Sequence, residues 1–151
     1  MDCLIRIATS EDATAISQVI IGALRETNAQ DYTPAIIEQV GQNFSPQAIL
    51  RLLTQRRVYV ATIGHHIVAT ASLDHGVVRS VFVDPTQQGK GIGRQLMTMI
   101  RSSALSDGVS LLRVPSSITA EGFYASLGFR KVRDEFHGAE RTIIMELKLG
   151  K

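Results

Sequence analysis

The stretch that decides the fold is Val81-Phe-Val-Asp-Pro-Thr-Gln-Gln-Gly-Lys-Gly-Ile-Gly-Arg-Gln-Leu96. The apolar run 77–83 reads as a buried strand, stopped at Asp84-Pro85 because proline cannot donate to a sheet ladder. Glycines then stand at alternate positions, Gly89, Gly91 and Gly93, and Ile92, Leu96, Met99 and Ile100 recur with helical spacing. The order is strand, glycine-rich turn, helix. The first turn of a helix has backbone N–H groups without internal partners and carries the positive end of the macrodipole. Glycine lets the backbone turn sharply and lets a ligand approach. Lys90 and Arg94 oppose the dipole at that end, so an anion is the missing partner, and a phosphate or pyrophosphate fits best.

Two common phosphate motifs are excluded by spacing. A P-loop needs Ser or Thr directly after its lysine, and Gly91 follows Lys90. A dinucleotide fingerprint needs a glycine three residues after Gly-x-Gly, and positions 94 and 96 hold Arg94 and Leu96. The remaining pattern is Gln88-Gly89-Lys90-Gly91-Ile92-Gly93, preceded by Val83-x-Pro85. It resembles the pyrophosphate-binding motif of the GCN5-related N-acetyltransferases. A strand–helix connection without a ligand would share the same six residues.

Outward from that turn, the chain reads as one α/β domain over residues 1–151. Strands are expected at 4–7, 58–63, 67–73, 77–83, 109–114, 129–135 and 142–149. Helices are expected at 10–27, 34–40, 46–55, 89–105 and 119–127. Thr9 or Ser10 is expected to cap the first helix, with Glu11 and Asp12 placed favourably in its first turn. Pro34 and Pro46 suit first-turn positions. The strand–helix–strand unit 77–114 implies parallel pairing with a right-handed crossover. The order β-α-α-α-β-β-β-α-β-α-β-β, with a mixed, mostly antiparallel sheet flanked by helices, is that of the same acetyltransferase family. A second family signature lies at Ser117-Ile-Thr-Ala120-Glu-Gly-Phe123-Tyr124-Ala-Ser-Leu127-Gly128-Phe129. Ala120, Tyr124, Gly128 and Phe129 match it, and Ser117 replaces the usual asparagine. Asp31-Tyr32-Thr33-Pro34 looks like a bacterial subgroup of these enzymes.

The resemblance implies direct transfer from acetyl-coenzyme A to a primary amine of a small molecule or peptide. It implies that two central strands splay apart to admit the pantetheine arm. Val81, Phe82 and Val83 would bind that arm. Gln88, Gly89, Lys90, Gly91, Ile92, Gly93 and Arg94 would hold the pyrophosphate, and Ser117 would contact the cofactor. Tyr124 would protonate the departing sulfur, since a tyrosine keeps its proton at neutral pH. Its other reading is a half-buried helix residue, and Phe123 and Phe129 read as core. Many members place a glutamate on the fourth or fifth strand; 77–83 and 109–114 contain no carboxylate. No general base is assigned. His75 has a suitable ordinary pKa, and Asp31, Tyr32 and His137 are weaker candidates. Acceptor choice is expected to lie in 25–47 and 136–141, which mix carboxylates such as Glu26, Asp31, Glu38 and Glu140 with cations. The alternative on the same fold is a non-catalytic coenzyme A-binding sensor or regulatory domain. A nucleotide module of another fold would prefer ATP or NAD.

Composition narrows the setting. Sixteen basic and 14 acidic residues leave a net charge of +2, and aromatics are 5%, which does not suggest a nucleic-acid binder. Arg130, Lys131 and Arg133 read as a solvated strand face. No apolar run approaches the ~20 residues of a membrane span, and no secretory leader is expected from Met1 to Arg6. The single cysteine, Cys3, fits a reducing cytoplasm and reads as a core residue. The four histidines lack metal-site spacing, so no metal is expected. Homodimers are common among the relatives, but no exposed apolar stripe demands one here.

Overall fold

The computed structural model describes residues 2–150. Seven strands form one sheet in the order β1-β2-β3-β4-β5-β7-β6. They are β1 (Cys3–Ile7), β2 (Arg57–Ile63), β3 (His66–Asp74), β4 (Val77–Val83), β5 (Leu111–Ser116), β6 (Arg130–His137) and β7 (Glu140–Lys148). The helices are α1 (Ala13–Glu26), α2 (Pro34–Gly41), α3 (Pro46–Gln55), α4 (Ile92–Ser106) and α5 (Glu121–Ser126). This is the mixed α/β architecture expected from the sequence.

Strand β2 shows why the sheet is covered on both faces. Val58, Tyr59, Val60 and Ala61 are all buried, and alternate residues of a strand point to opposite faces. Val58 and Val60 pack with Ile16, Ile20 and Leu24 of α1 and Ile49 of α3. Tyr59 and Ala61 pack with Leu96, Met97 and Ile100 of α4. The first face is therefore roofed by α1–α3 and the second by α4 and α5.

Helix starts follow local chemistry. Thr33 accepts from the Ile36 N–H at 3.3 Å and Ser45 from the Ala48 N–H at 3.2 Å, each with proline next in sequence. The start of α1 differs from the expectation. Residues Ser10–Asp12 form a short 3-10 turn and the α-helix begins at Ala13. Asp12 is drawn away from a purely dipolar role. Its carboxylate takes two hydrogen bonds from Arg6 of β1, at 2.8 and 3.0 Å, and one from the Thr9 N–H at 2.7 Å.

Strands β1 to β4 form an antiparallel meander, and β5, β7 and β6 form a second antiparallel group. The groups meet where β4 and β5 run parallel, through a single register pair, Val77 with Arg113. Beyond that pair the two strands diverge. A β-bulge accompanies the divergence: Thr70 pairs with Phe82 and Ser72 with Arg79, so Ser80 and Val81 together oppose Ala71. Ser80 sits at φ +56°. The Ser72 hydroxyl donates to the Arg79 carbonyl at 2.8 Å and braces the bulge.

A clamp ties the first helical connection to the β5 side of the sheet. The Tyr32 hydroxyl accepts from the Ile118 N–H and donates to the Arg141 carbonyl, both at 2.8 Å. Thr119 donates to Asp31 at 2.8 Å. The α1–α2 connection is thus tied to the β5–α5 connection and to β7. Tyr32→Phe leaves two backbone groups without that partner, so we expect a loss of about 1–3 kcal/mol in denaturant unfolding. Asp12 makes stability pH-dependent. Chiefly the Arg6 hydrogen bonds hold its carboxyl below the usual range. Its contribution is therefore present above the unfolded value of about 4 and is lost as pH falls through the folded value. The Tm gap between wild type and Asp12→Asn should narrow as pH is lowered from about 6 to about 2.

Candidate active site

The glycine turn sits at the end of β4, and each of its glycines has a definite task. Gly89 and Gly91 adopt φ of +78° and +81°, a region that side chains disfavour. A Cβ on either would meet no protein atom within 4 Å. Gly91 is the residue before α4 and provides no side-chain cap, so the first N–H groups of that helix face open space. Gly93 serves packing instead: a Cβ there would lie 3.2 Å from the Phe123 ring. The positive φ values explain why the helix begins at Ile92 rather than at 89.

The turn is held from beneath. The Gln88 amide donates to the Thr27 hydroxyl at 3.1 Å and to the Val83 carbonyl at 3.2 Å. Asp84 accepts from the Thr86 N–H at 2.9 Å and its hydroxyl at 2.8 Å. Arg94 reaches the Ser126 hydroxyl at 3.2 Å, linking α4 to α5. Lys90 is exposed and donates to Gln87 at 3.0 Å.

A cavity of about 720 Å3 runs from this turn through the β4–β5 opening to α2, Phe44, Arg56 and the β6–β7 hairpin. Val81, Phe82, Val83, Gln88, Gly89, Gly91, Ile92, Gly93, Arg94, Ser117 and Tyr124 all line it. Of the residues expected to bind the cofactor or to protonate sulfur, Lys90 alone does not. Ser117 also accepts from the Ala120 N–H at 3.1 Å, which shapes the turn into α5.

Tyr124 is buried, 4% exposed, deeper than the half-buried alternative expects. Its ring meets Phe123 and Phe129 edge-to-face, with centroids 5.2 and 5.5 Å away. Burial pushes its phenol well above the ordinary value, so it stays protonated at neutral pH. Phe129 is core, while Phe123 is partly buried and faces the cavity.

The candidate bases are dispersed. His75 is exposed, bonded to Asp74 at 2.8 Å, and outside the cavity wall. The Tyr32 hydroxyl is committed to its clamp, and burial raises its pKa. Asp31 is bonded to Thr119. His137 and Glu140, from the β6–β7 hairpin, do line the cavity. Two further lining residues escaped sequence reasoning: Arg56, just after α3, and Arg79 of β4. The signal for Arg79 was present, since Arg79-Ser80 interrupts the otherwise apolar run Val77–Val83. Among the described residues no group of His, Cys, Asp and Glu is placed to hold a metal ion, and no helix is long and apolar enough to cross a membrane.

Comparison with known proteins places this geometry. Residues 28–149 match the family model described as an acetyltransferase (GNAT) domain. No match was found among curated proteins. A GCN5-related N-acetyltransferase from Rhodopseudomonas palustris is similar, with TM-score 0.93 at 20% identity, covering 99% of this chain and 97% of that one. PaiA N-acetyltransferase from Thermoplasma acidophilum, solved with coenzyme A, gives TM-score 0.83 at 19% identity, covering 98% of this chain and 99% of that one. YncA from Salmonella typhimurium, solved with acetyl-CoA, gives 0.68 at 24% identity, covering 99% and 95%. With the glycine turn before α4, the divergent β4 and β5 and the family match over most of its length, the chain belongs to the GNAT acetyltransferase family.

Proposed function

We propose that this protein transfers an acetyl group from acetyl-coenzyme A to a primary amine of a small molecule or peptide, and that residues 1–151 form one such domain. The observation that carries the reading is the continuity of one cavity from an uncapped helix N-terminus to the gap between two diverging strands. The residues present fit the donor. The space above Gly89 and Gly91 that a Cβ would fill is where a diphosphate can meet backbone N–H groups and the Arg94 guanidinium. The edge of β4 at Val81, Phe82 and Val83, no longer paired to β5, offers backbone groups to the pantetheine amides.

Bound in this way, acetyl-coenzyme A supplies a thioester whose acyl carbon accepts the amine. The amine nitrogen forms the new bond to that carbon as the carbon–sulfur bond breaks. The nitrogen gives up a proton, the sulfur gains one, and an amide and a free thiol result. Tyr124 holds a proton at the base of the cavity and is our assignment for the group that delivers it to sulfur. Its burial among Phe123 and Phe129 keeps water from competing for that role.

Thermal unfolding with acetyl-CoA, coenzyme A, ATP and NAD tests the donor site. A ligand at a hundred times its Kd stabilises by ~2.7 kcal/mol, a Tm rise on the order of 5–10 °C for a chain of this size. Both coenzyme A species should give that rise, ATP and NAD none, and Gly91→Glu should abolish it. No rise with either coenzyme A species refutes the reading. With an acceptor in hand, Tyr124→Phe should lower kcat about 100-fold while the coenzyme A-induced Tm rise persists. An unchanged kcat would remove Tyr124 from the chemistry. Coenzyme A binding with no thiol release to any amine would leave a coenzyme A sensor as the function.

A further inference from the structure

Away from the glycine turn the cavity wall carries two guanidinium groups, those of Arg56 and Arg79. They come from separate elements, one from the residue between α3 and β2 and one from β4. Arg79 precedes the bulge at Ser80, and Arg56 donates to the Ser80 hydroxyl at 3.2 Å. The glycine turn lies beyond the other end of β4, which is itself roughly 13 Å along the strand from Arg79 at ~3.3 Å per residue.

The local charges do not balance. Asp74 is the carboxylate beside the pair. Its oxygens lie 3.4 Å from Arg79 Nε and 2.8 Å from His75. The Arg79 Nε is buried and, among the described residues, makes no hydrogen bond. Burial first, and then the neighbouring charge of Arg79, depress the Arg56 pKa. Two like charges side by side in a partly desolvated wall are costly unless an anion joins them. Elsewhere in the cavity the charged side chains are Arg94, at the glycine turn, and Glu140, on the β6–β7 hairpin. A planar carboxylate suits guanidinium forks, which grip its two oxygens together. Phe44 and Phe82, edge-to-face at 5.9 Å, supply an apolar surface in the same wall.

We propose that Arg56 and Arg79 bind a carboxylate of the acetyl acceptor, so that the acceptor is an amine of the amino-acid class rather than a simple amine or polyamine. This inference rests on the acetyl-transfer reading above and specifies its substrate class.

The test uses a panel of α-amino acids, each matched with the amine it would give on losing its carboxylate. Thiol release from acetyl-CoA measures turnover. In parallel, thermal unfolding of the coenzyme A-saturated protein measures binding of the matched N-acetyl amino acids and N-acetyl amines. We expect turnover and stabilisation with carboxylate-bearing members, and at least a tenfold deficit in kcat/KM for their matched amines, about the worth of one good ionic contact. Arg56→Gln and Arg79→Gln should each raise the acceptor KM about tenfold or more and keep both the acetyl-CoA KM and the coenzyme A-induced Tm rise. Equal use of the matched amines overturns the inference. So does an unchanged acceptor KM in both variants. So does a coenzyme A-binding protein that neither turns over nor is stabilised by any carboxylate-bearing member. If coenzyme A itself gives no Tm rise in wild type, the acetyl-transfer reading fails first, which separates the two failures.

Discussion

Everything in the candidate site depends on β4 and β5 being neighbours that pair at only one position. A parallel pair normally carries evenly spaced hydrogen bonds along its length. Here the ladder stops after Val77 and Arg113. Around that pair the two strands are held by apolar burial, with Val78, Leu112 and Val114 almost fully covered in the core that includes α4. The open half gives up pairing and gains a cavity. The bulge steers β4 through this change. Ser80 takes a backbone conformation that costs about 1–3 kcal/mol for a residue with a side chain. The Ser72-to-Arg79 hydrogen bond offsets part of that, at about 1 kcal/mol. The balance comes from the core on either side, because Val81 and Val83 pack toward α4 while Phe82 packs toward α1–α3.

The strand's exit into α4 repeats the same division of labour. Gly89 and Gly91 face empty space with positive φ, so their lack of a side chain serves the backbone path and whatever lies above it. Gly93 faces Phe123, so its lack of a side chain serves the approach of α5 to α4. Arg94 joins the same two helices through Ser126. Phe123 in turn stacks against Tyr124, and Tyr124 against Phe129. The packing around Tyr124 therefore depends in part on Gly93, in a different helix.

This explains what the sequence could and could not reveal. Elements with local causes were legible: β4 and α3 match their expected limits, and Pro34 and Pro46 stand in the first turns of α2 and α3 as expected. The glycine turn before α4 was legible for the same reason, since one continuous stretch builds it. Departures came from partners far apart. Asp12 reads as a helix-start acid, but Arg6 in the neighbouring strand claims it. Tyr32 reads as a loose candidate base, but its partners lie 86 and 109 residues away. His75 has a suitable side chain, and only the fold shows that it points outside the cavity wall. No periodicity or spacing encodes such contacts.

The two ends of the cavity thus have different origins. The end beneath the glycine turn is made by neighbours in sequence, and a motif suffices to announce it. The other end is assembled from the residue after α3, the early part of β4, the α1–α2 connection and the β6–β7 hairpin. Each of these is a short segment whose backbone path is fixed by other contacts, such as the Tyr32 clamp and the Ser80 bulge. Side chains there can change without disturbing the glycine turn. Arg56 and Arg79 illustrate the point. Neither belongs to a motif, both stand on rigid supports, and together they leave a charge imbalance that local structure does not resolve. If acceptor choice falls to such side chains, as proposed above, this one cavity has a turn set by backbone geometry at one end and paired guanidinium groups set by long-range packing at the other.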